Sequence, residues 1–171
     1  MRLITGLLDR LLFAAGLALF LQIPQFIDHY TQRYGGYRQA LADSVAQYQQ
    51  NADRHYRGDL DAMTRDFRND DKPALRDIGD KIADERRRLA EMEHGLAILR
   101  YGHLGQKLWY LARHIEPSIA YGVLENFRPG LPLTIDALLC GLVGGVLASA
   151  LFNLLLWPLR LVVDRRPLLR V

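Results

Sequence analysis

Two long uncharged runs decide what this chain can fold into. Leu11–Ile27 holds 17 residues without a charge, and Ala137–Leu159 holds 23. A helix needs about 20 mostly apolar residues to cross a hydrocarbon core of roughly 30 Å; the second run supplies that length outright and the first meets it at the margin. Half of the 171 residues are hydrophobic, an average that would suit a soluble domain. The distribution excludes one: all of the 19 acids except Asp9 and Asp164 lie between the two runs. The expected fold class is all-α, two transmembrane helices flanking an extracytoplasmic antiparallel helical hairpin.

The bases set the orientation. Arg2, Arg10, Arg160, Arg165, Arg166 and Arg170 lie on the terminal flanks, whereas the inner flanks carry Arg33, Arg38 and Arg128. Lys and Arg close to a span favour the cytoplasmic side, so both termini are expected there and the intervening segment in the periplasm of a Gram-negative cell. The net charge of +3 and the basic isoelectric point come from the ends alone, because residues 28–136 carry one more acid than base. Anionic lipid headgroups are therefore the expected partner, and nucleic acid is not. Cys140 is the single cysteine, which excludes an internal disulfide and a cysteine-based zinc cluster. No small-x-small cleavage pattern follows the first run, so it reads as an uncleaved anchor rather than a signal peptide.

Four segments follow: residues 1–27 as the N-terminal cytoplasmic flank and first span, 28–132 as the periplasmic helical domain, 133–157 as the second span and 158–171 as a basic cytoplasmic tail. Gln22 and Pro24 sit near the outer end of the first span, where proline frees a carbonyl one turn back. His29, Tyr30, Tyr34 and Tyr37 follow, suited to the headgroup level. Gly35-Gly36 is expected either to break the helix or to admit another backbone. Tyr37, Leu41, Val45, Tyr48 and Ala52 recur at three and four, as do Leu75, Ile78, Ile82, Leu89, Met92, Leu96 and Leu99 apart from one interruption where Glu85 or Arg86 falls on the seam, each set defining one helix face. Between these faces, Gly58-Asp59 reads as a stop and N-cap for a short helix with Leu60, Met63 and Phe67; Asn69 to Pro73 reads as a turn. Shorter helices are expected over Leu104–Ile115 and, after Pro117, over Ile119–Phe127. The sequence has no fixed-period repeat. The second span carries Gly141 and Gly145 in G-x-x-x-G spacing, extended by Gly144, Ala148 and Ser149; Ala14 and Ala18 offer a matching small face on the first, for a contact within the chain or between chains. Asn153 is expected to face protein. The tail alternates apolar and basic residues and suits the cytoplasmic interface.

Chemistry is sparse. His29, His55, His94, His103 and His114 form no H-x-x-x-H or H-E-x-x-H pattern, so no metal site and no cofactor is expected. Asp53, Arg54 and His55 make a polar cluster where the hydrophobic face runs out, with capping its expected purpose. Arg86-Arg87-Arg88 reads as a solvated face balanced by neighbouring acids. The sequence contains no phosphate loop, dinucleotide fingerprint or nucleophile elbow, and no enzyme is expected.

The stretches Gln22-x-Pro24-x-Phe26-x-x-x-Tyr30-x-Gln32-Arg33-x-Gly35-Gly36, Ala52-Asp53-Arg54-His55-Tyr56-x-Gly58-Asp59-Leu60 and Pro129-x-Leu131-Pro132-Leu133-Thr134 span most of the chain. On them it resembles a family of short proteobacterial inner-membrane proteins known only as a domain of unknown function. The resemblance implies a bacterial setting and this topology, and implies no catalytic residues.

The expectation is a structural or interaction protein that forms a homo-oligomer or serves as an accessory subunit of a larger membrane complex. It rests on Tyr30, Tyr34, Tyr37, Phe67, Trp109 and Tyr110, which two paired faces would leave uncovered. The alternative is a periplasmic ligand-sensing module; its tail is too short for an output domain, so it would signal through a membrane partner. A reporter active only in the periplasm should be active when fused after residue 70 and silent after residue 171. The reverse pattern would overturn the topology.

Overall fold

In a computed structural model that describes residues 2–164, and the side chains of residues 4–157, the chain is all-helical. The helices are α1 Arg2–His55, α2 Leu60–Arg68, α3 Pro73–Tyr101, α4 Leu104–His114, α5 Pro117–Glu125 and α6 Ile135–Asp164, with no strand among the described residues.

The 54 residues of α1 pass Pro24, Gly35 and Gly36 without a break. This corrects the expectation for the double glycine: a Cβ at Gly35 would meet the side chains of Arg100, at 3.3 Å, and Leu96, and one at Gly36 would meet nothing. No backbone comes close, and neighbouring contacts outweigh the roughly 1 kcal/mol that glycine costs a helix. The helix stops at Arg57 and Gly58, which take φ of 56° and 85°. That left-handed geometry suits glycine, and the Gly58 N–H reaches back to the Ala52 carbonyl at 3.0 Å. Asp59 then caps α2, its carboxylate accepting the Ala62 N–H at 2.8 Å. Pro73 and Pro117 open α3 and α5 at a position where no N–H is needed.

Contacts divide the chain into two units: residues up to Asp28 with those from Phe127 onward, and His29–Asn126. The first is apolar and built inside out. Leu19, Leu139, Leu154 and Leu155 face outward, while Gly16, Gly141, Gly144 and Gly145 are buried. Only 11% and 17% of the most apolar stretches of α1 and α6 are buried, unlike the core helix of a soluble fold, and both helices are long and apolar enough to cross a membrane. The backbone of α6 continues through Pro158 to Asp164, past the expected end of the span at residue 157. The side chains from Pro158 and all of residues 165–171 lie outside the described residues, and with them the expected interfacial tail and its four arginines.

In the second unit, Arg38 meets Glu93 at 2.9 Å and Ser44 meets Glu85 at 2.6 Å, pairs that climb α1 as they descend α3. Ala52, Leu60, Met63 and Ile82 form a buried cluster, flanked by Val45, Tyr48, Tyr56 and Phe67. Gly79 lets α2 lie directly on α3, since a Cβ there would stand 2.8 Å from the Arg68 backbone nitrogen. The aromatic side chains overturn one expectation. Tyr30 and Tyr34 are buried, Phe67 and Tyr110 half-buried, and only Tyr37 and Trp109 of the six remain exposed. The first two pack within this unit because α4 and α5 cover them, a surface that a two-helix hairpin lacks.

Ile82 is fully buried whereas Ile78, one turn earlier, is 40% exposed. Ile82→Ala should lower stability by about 2–5 kcal/mol, and Ile78→Ala by about 1 kcal/mol or less. Unfolding followed by far-ultraviolet circular dichroism would read both.

Candidate functional site

In the apolar unit the contact is knobs from α1 against a glycine groove on α6. A Cβ at Gly144 would collide with the Phe20 ring, one at Gly145 would stand 2.8 Å from Phe13, and one at Gly141 2.9 Å from Leu21. In return, Gly16 of α1 takes the Gly144 carbonyl, where a Cβ would come within 2.6 Å. Gly141 and Gly145 thus lie at the helix contact, as does Ser149. Within the chain Ala14 and Ala18 do not: both are exposed, and the face of α1 turned to α6 is Phe13, Gly16, Leu17, Phe20 and Leu21. The correction has a simple cause. A groove without side chains is filled by large residues, not matched by a second small face.

Polar atoms close both ends of this contact. Near the start of α1, the Asp9 carboxylate accepts the Ser149 hydroxyl at 2.5 Å and the Asn153 amide at 3.0 Å. Ser149 and Asn153 are four apart on α6 and so share a face; that spacing inside an apolar run was the signal that could have pointed to Asp9. At the other end, Gln22 donates to the Gly130 carbonyl at 3.1 Å, and Gln25 donates to the Arg128 carbonyl at 2.8 Å and accepts the Gly130 N–H at 3.0 Å. Gln22 also donates to the Ala18 carbonyl, one turn back along α1.

The helical unit holds an open cleft of about 980 Å³ between α3 and α4, its wall including His94, Ile98, Tyr110 and His114, with Tyr34 of α1 behind them. Gly95 makes this wall possible: a Cβ there would collide with the hydroxyl of Tyr110 and come within 2.7 Å of that of Tyr34. The two hydroxyls bond at 3.2 Å, and the Tyr110 ring stacks on His114 at 4.9 Å between centroids. Burial pushes the Tyr34 phenol above its usual range, and the bond to Tyr110 adds to the shift. It therefore stays protonated, a wall group rather than a base. Two ion pairs lie in and around the cleft, Arg88 with Glu116 at 2.8 Å and Arg87 with Asp84 at 2.9 Å, and the Glu91 side chain lines it as well. The Glu116 N–H donates to the Tyr30 hydroxyl at 3.0 Å, and Arg33 donates to the Gly122 carbonyl at 3.0 Å with its guanidinium lying where a Gly122 side chain would be. Arg33 and the two tyrosines thereby hold α4 and α5. Sequence reasoning missed Gly16, Gly95 and Gly122; an isolated glycine inside a periodic helix face was the available cue for Gly95.

Asp53, Arg54 and His55 are exposed at the end of α1. Gln49 donates to the Asp53 carboxylate at 2.9 Å and to the Gly58 carbonyl at 2.9 Å, tying the helix end to the loop, while Arg54 and His55 occupy the last turn, where cations meet the negative end of the helix dipole. His103 caps α4, exchanging hydrogen bonds with Gln106. Among the described residues, no group of three or more His, Cys, Asp and Glu side chains is placed to hold a metal ion.

The class this defines is an all-helical chain with two helices long and apolar enough to cross a membrane and, between them in chain order, a helical unit that holds a cleft lined by aromatic and charged side chains. The chain belongs to the family described as "Protein of unknown function (DUF2937)", whose model matches residues 4–165. No curated protein and no solved structure matches it.

The glycine groove sets a sharp contrast between positions. The double change Gly141→Leu and Gly145→Leu should lower the melting temperature in mild detergent by several degrees, because each added side chain meets Leu21 or Phe13. Ala14→Leu, on an exposed face, should leave it unchanged.

Proposed function

We propose that this chain is an interaction protein of the bacterial inner membrane. In this reading α1 and α6 span the bilayer with both termini in the cytoplasm, the helical unit stands in the periplasm with α1 and α3 as its antiparallel hairpin, and the protein works by docking a protein surface into the cleft. That surface belongs to a second copy or to a larger membrane complex that the chain serves as an accessory subunit.

The cleft carries the proposal. It offers Ile98, Met92 and Tyr110 beside two ion pairs, a lining that favours binding a shaped surface. The continuity of α1 supports it, since the helix that would anchor the protein also supplies Tyr34 behind the cleft. Trp109 and Tyr37 remain exposed and are the kind of side chain that anchors interfaces. A second reading, ligand sensing, draws on the same cleft, whose volume lies at the upper end of the range for small-molecule sites.

Native mass spectrometry of the full chain extracted in mild detergent separates the two. The expected result is a stoichiometric protein companion that is lost on Ile98→Asp, with helix content retained. A monomer carrying a small molecule that the same substitution releases would favour sensing and overturn the docking proposal.

A further inference from the structure

The register of α1 against α6 draws two charges into the apolar unit. The Asp9 carboxylate accepts the Ser149 hydroxyl and the Asn153 amide, so it lies level with the turn of α6 between them. The next charged residue along α6 is Arg160, seven positions past Asn153, or about 10 Å of helix. On α1, Asp9 and Arg10 are the only charges from Ile4 to Ile27. The turns beyond them are apolar and turned outward, since Ile4 and Leu7 on α1 and Leu154 and Leu155 on α6 are all exposed. In a chain that spans the bilayer, both charges therefore sit inside its apolar band.

Neither meets an opposite charge among the described side chains. Both donors from α6 converge on one oxygen of Asp9, Oδ1, and Oδ2 has no described partner. Arg10 is exposed and forms no ion pair with a described side chain. Successive helix residues point about 100° apart, so these two neighbours look to different sides of α1 and do not pair with each other. Charged groups at such depth are held by a partner charge or a water-filled cavity, and the exposed neighbours of Arg10 on its own helix are Leu7 and Leu11.

A second copy carries the missing charges at the right depth. Copies inserted with the same topology place Asp9 and Arg10 at equal heights, and a two-fold axis along the membrane normal turns the Arg10 of each toward the Asp9 of the other. The surface is self-complementary, one acid beside one base. Because Oδ1 stays held by Ser149 and Asn153 while Oδ2 takes the guanidinium, such a contact leaves the packing of α1 on α6 undisturbed.

We infer that two copies of this chain pair within the membrane through reciprocal ion pairs, Asp9 of one copy with Arg10 of the other. The inference rests on the reading of α1 and α6 as spans and uses no residue of the cleft.

Sedimentation equilibrium of the full chain in density-matched mild detergent tests it. The native chain should be a dimer. Arg10→Glu should raise the dissociation constant about tenfold or more with helix content retained. Asp9→Asn, which keeps an acceptor for the Ser149 hydroxyl, should weaken the dimer as well. Mixing the two variants should restore a dimer with one copy of each, because the arginine kept by one meets the aspartate kept by the other; misfolded variants would not recover. A native monomer, a dimer indifferent to both changes, or losses that mixing does not repair would overturn the inference. A dimer that Ile98→Asp abolishes and Arg10→Glu leaves intact belongs to the cleft, so this inference alone fails. Release of the chain from membranes by alkaline carbonate would remove the spanning reading and this pairing with it.

Discussion

Two helices lying side by side in an apolar unit cannot be held by burial of oily side chains, because their outward faces are as apolar as their inward ones. The contact of α1 with α6 therefore depends on close approach. Gly16, Gly141, Gly144 and Gly145 remove side chains where the backbones meet, and Phe13, Phe20 and Leu21 fill the groove that results. Dispersion at such short range is the attraction that lipid tails cannot match. Hydrogen bonds at the two ends then define the register: Asp9 with Ser149 and Asn153, and Gln22 and Gln25 with the Arg128–Gly130 backbone. A slide of one helix along the other would break both sets.

The helical unit is specified by different means. Its ion pairs, Arg38 with Glu93, Arg68 with Asp80 and Arg88 with Glu116, are exposed enough that each contributes about 1 kcal/mol or less. They distinguish one pairing of the helices from another more than they hold it. Stability comes from Ile82, Met63 and Leu99, and from the phenols of Tyr30 and Tyr34, which are buried with their hydroxyls bonded. Each of those phenols is tied to a residue more than 70 positions away, so this end of the unit closes only when α4 and α5 are in place.

That distance explains what could be read in advance. The ends of α2, α3 and α5 follow from Asp59, Pro73 and Pro117, whose effects act within a turn of the chain. The two apolar runs and the helical faces between them follow from composition and period. Tyr30 and Tyr34 beside an apolar run suggest headgroups, and nothing within ten residues reveals that Glu116 and Tyr110 cover them. The small-residue spacing of α6 shows a thin face but not its filling, which is why Ala14 and Ala18 were natural candidates and Gly16, Phe13 and Phe20 are the residues in contact. The cleft assembles Tyr34, His94 and Tyr110 from three helices, with Gly95 as the position where no side chain fits; no local pattern encodes such a site.

The hydrogen bond from Ser149 to Asp9 joins groups 140 positions apart. At synthesis rates of roughly 5–20 residues per second, the first helix waits on the order of 10–30 s before its partner exists. Through that interval Asp9 has neither of its donors and Phe13 and Phe20 have no groove. A newly made first helix is thus an incomplete surface, open to any neighbouring chain that offers a thin face and a hydroxyl. Completion of α6 supplies that face on the same chain, at the high local concentration that a tether gives.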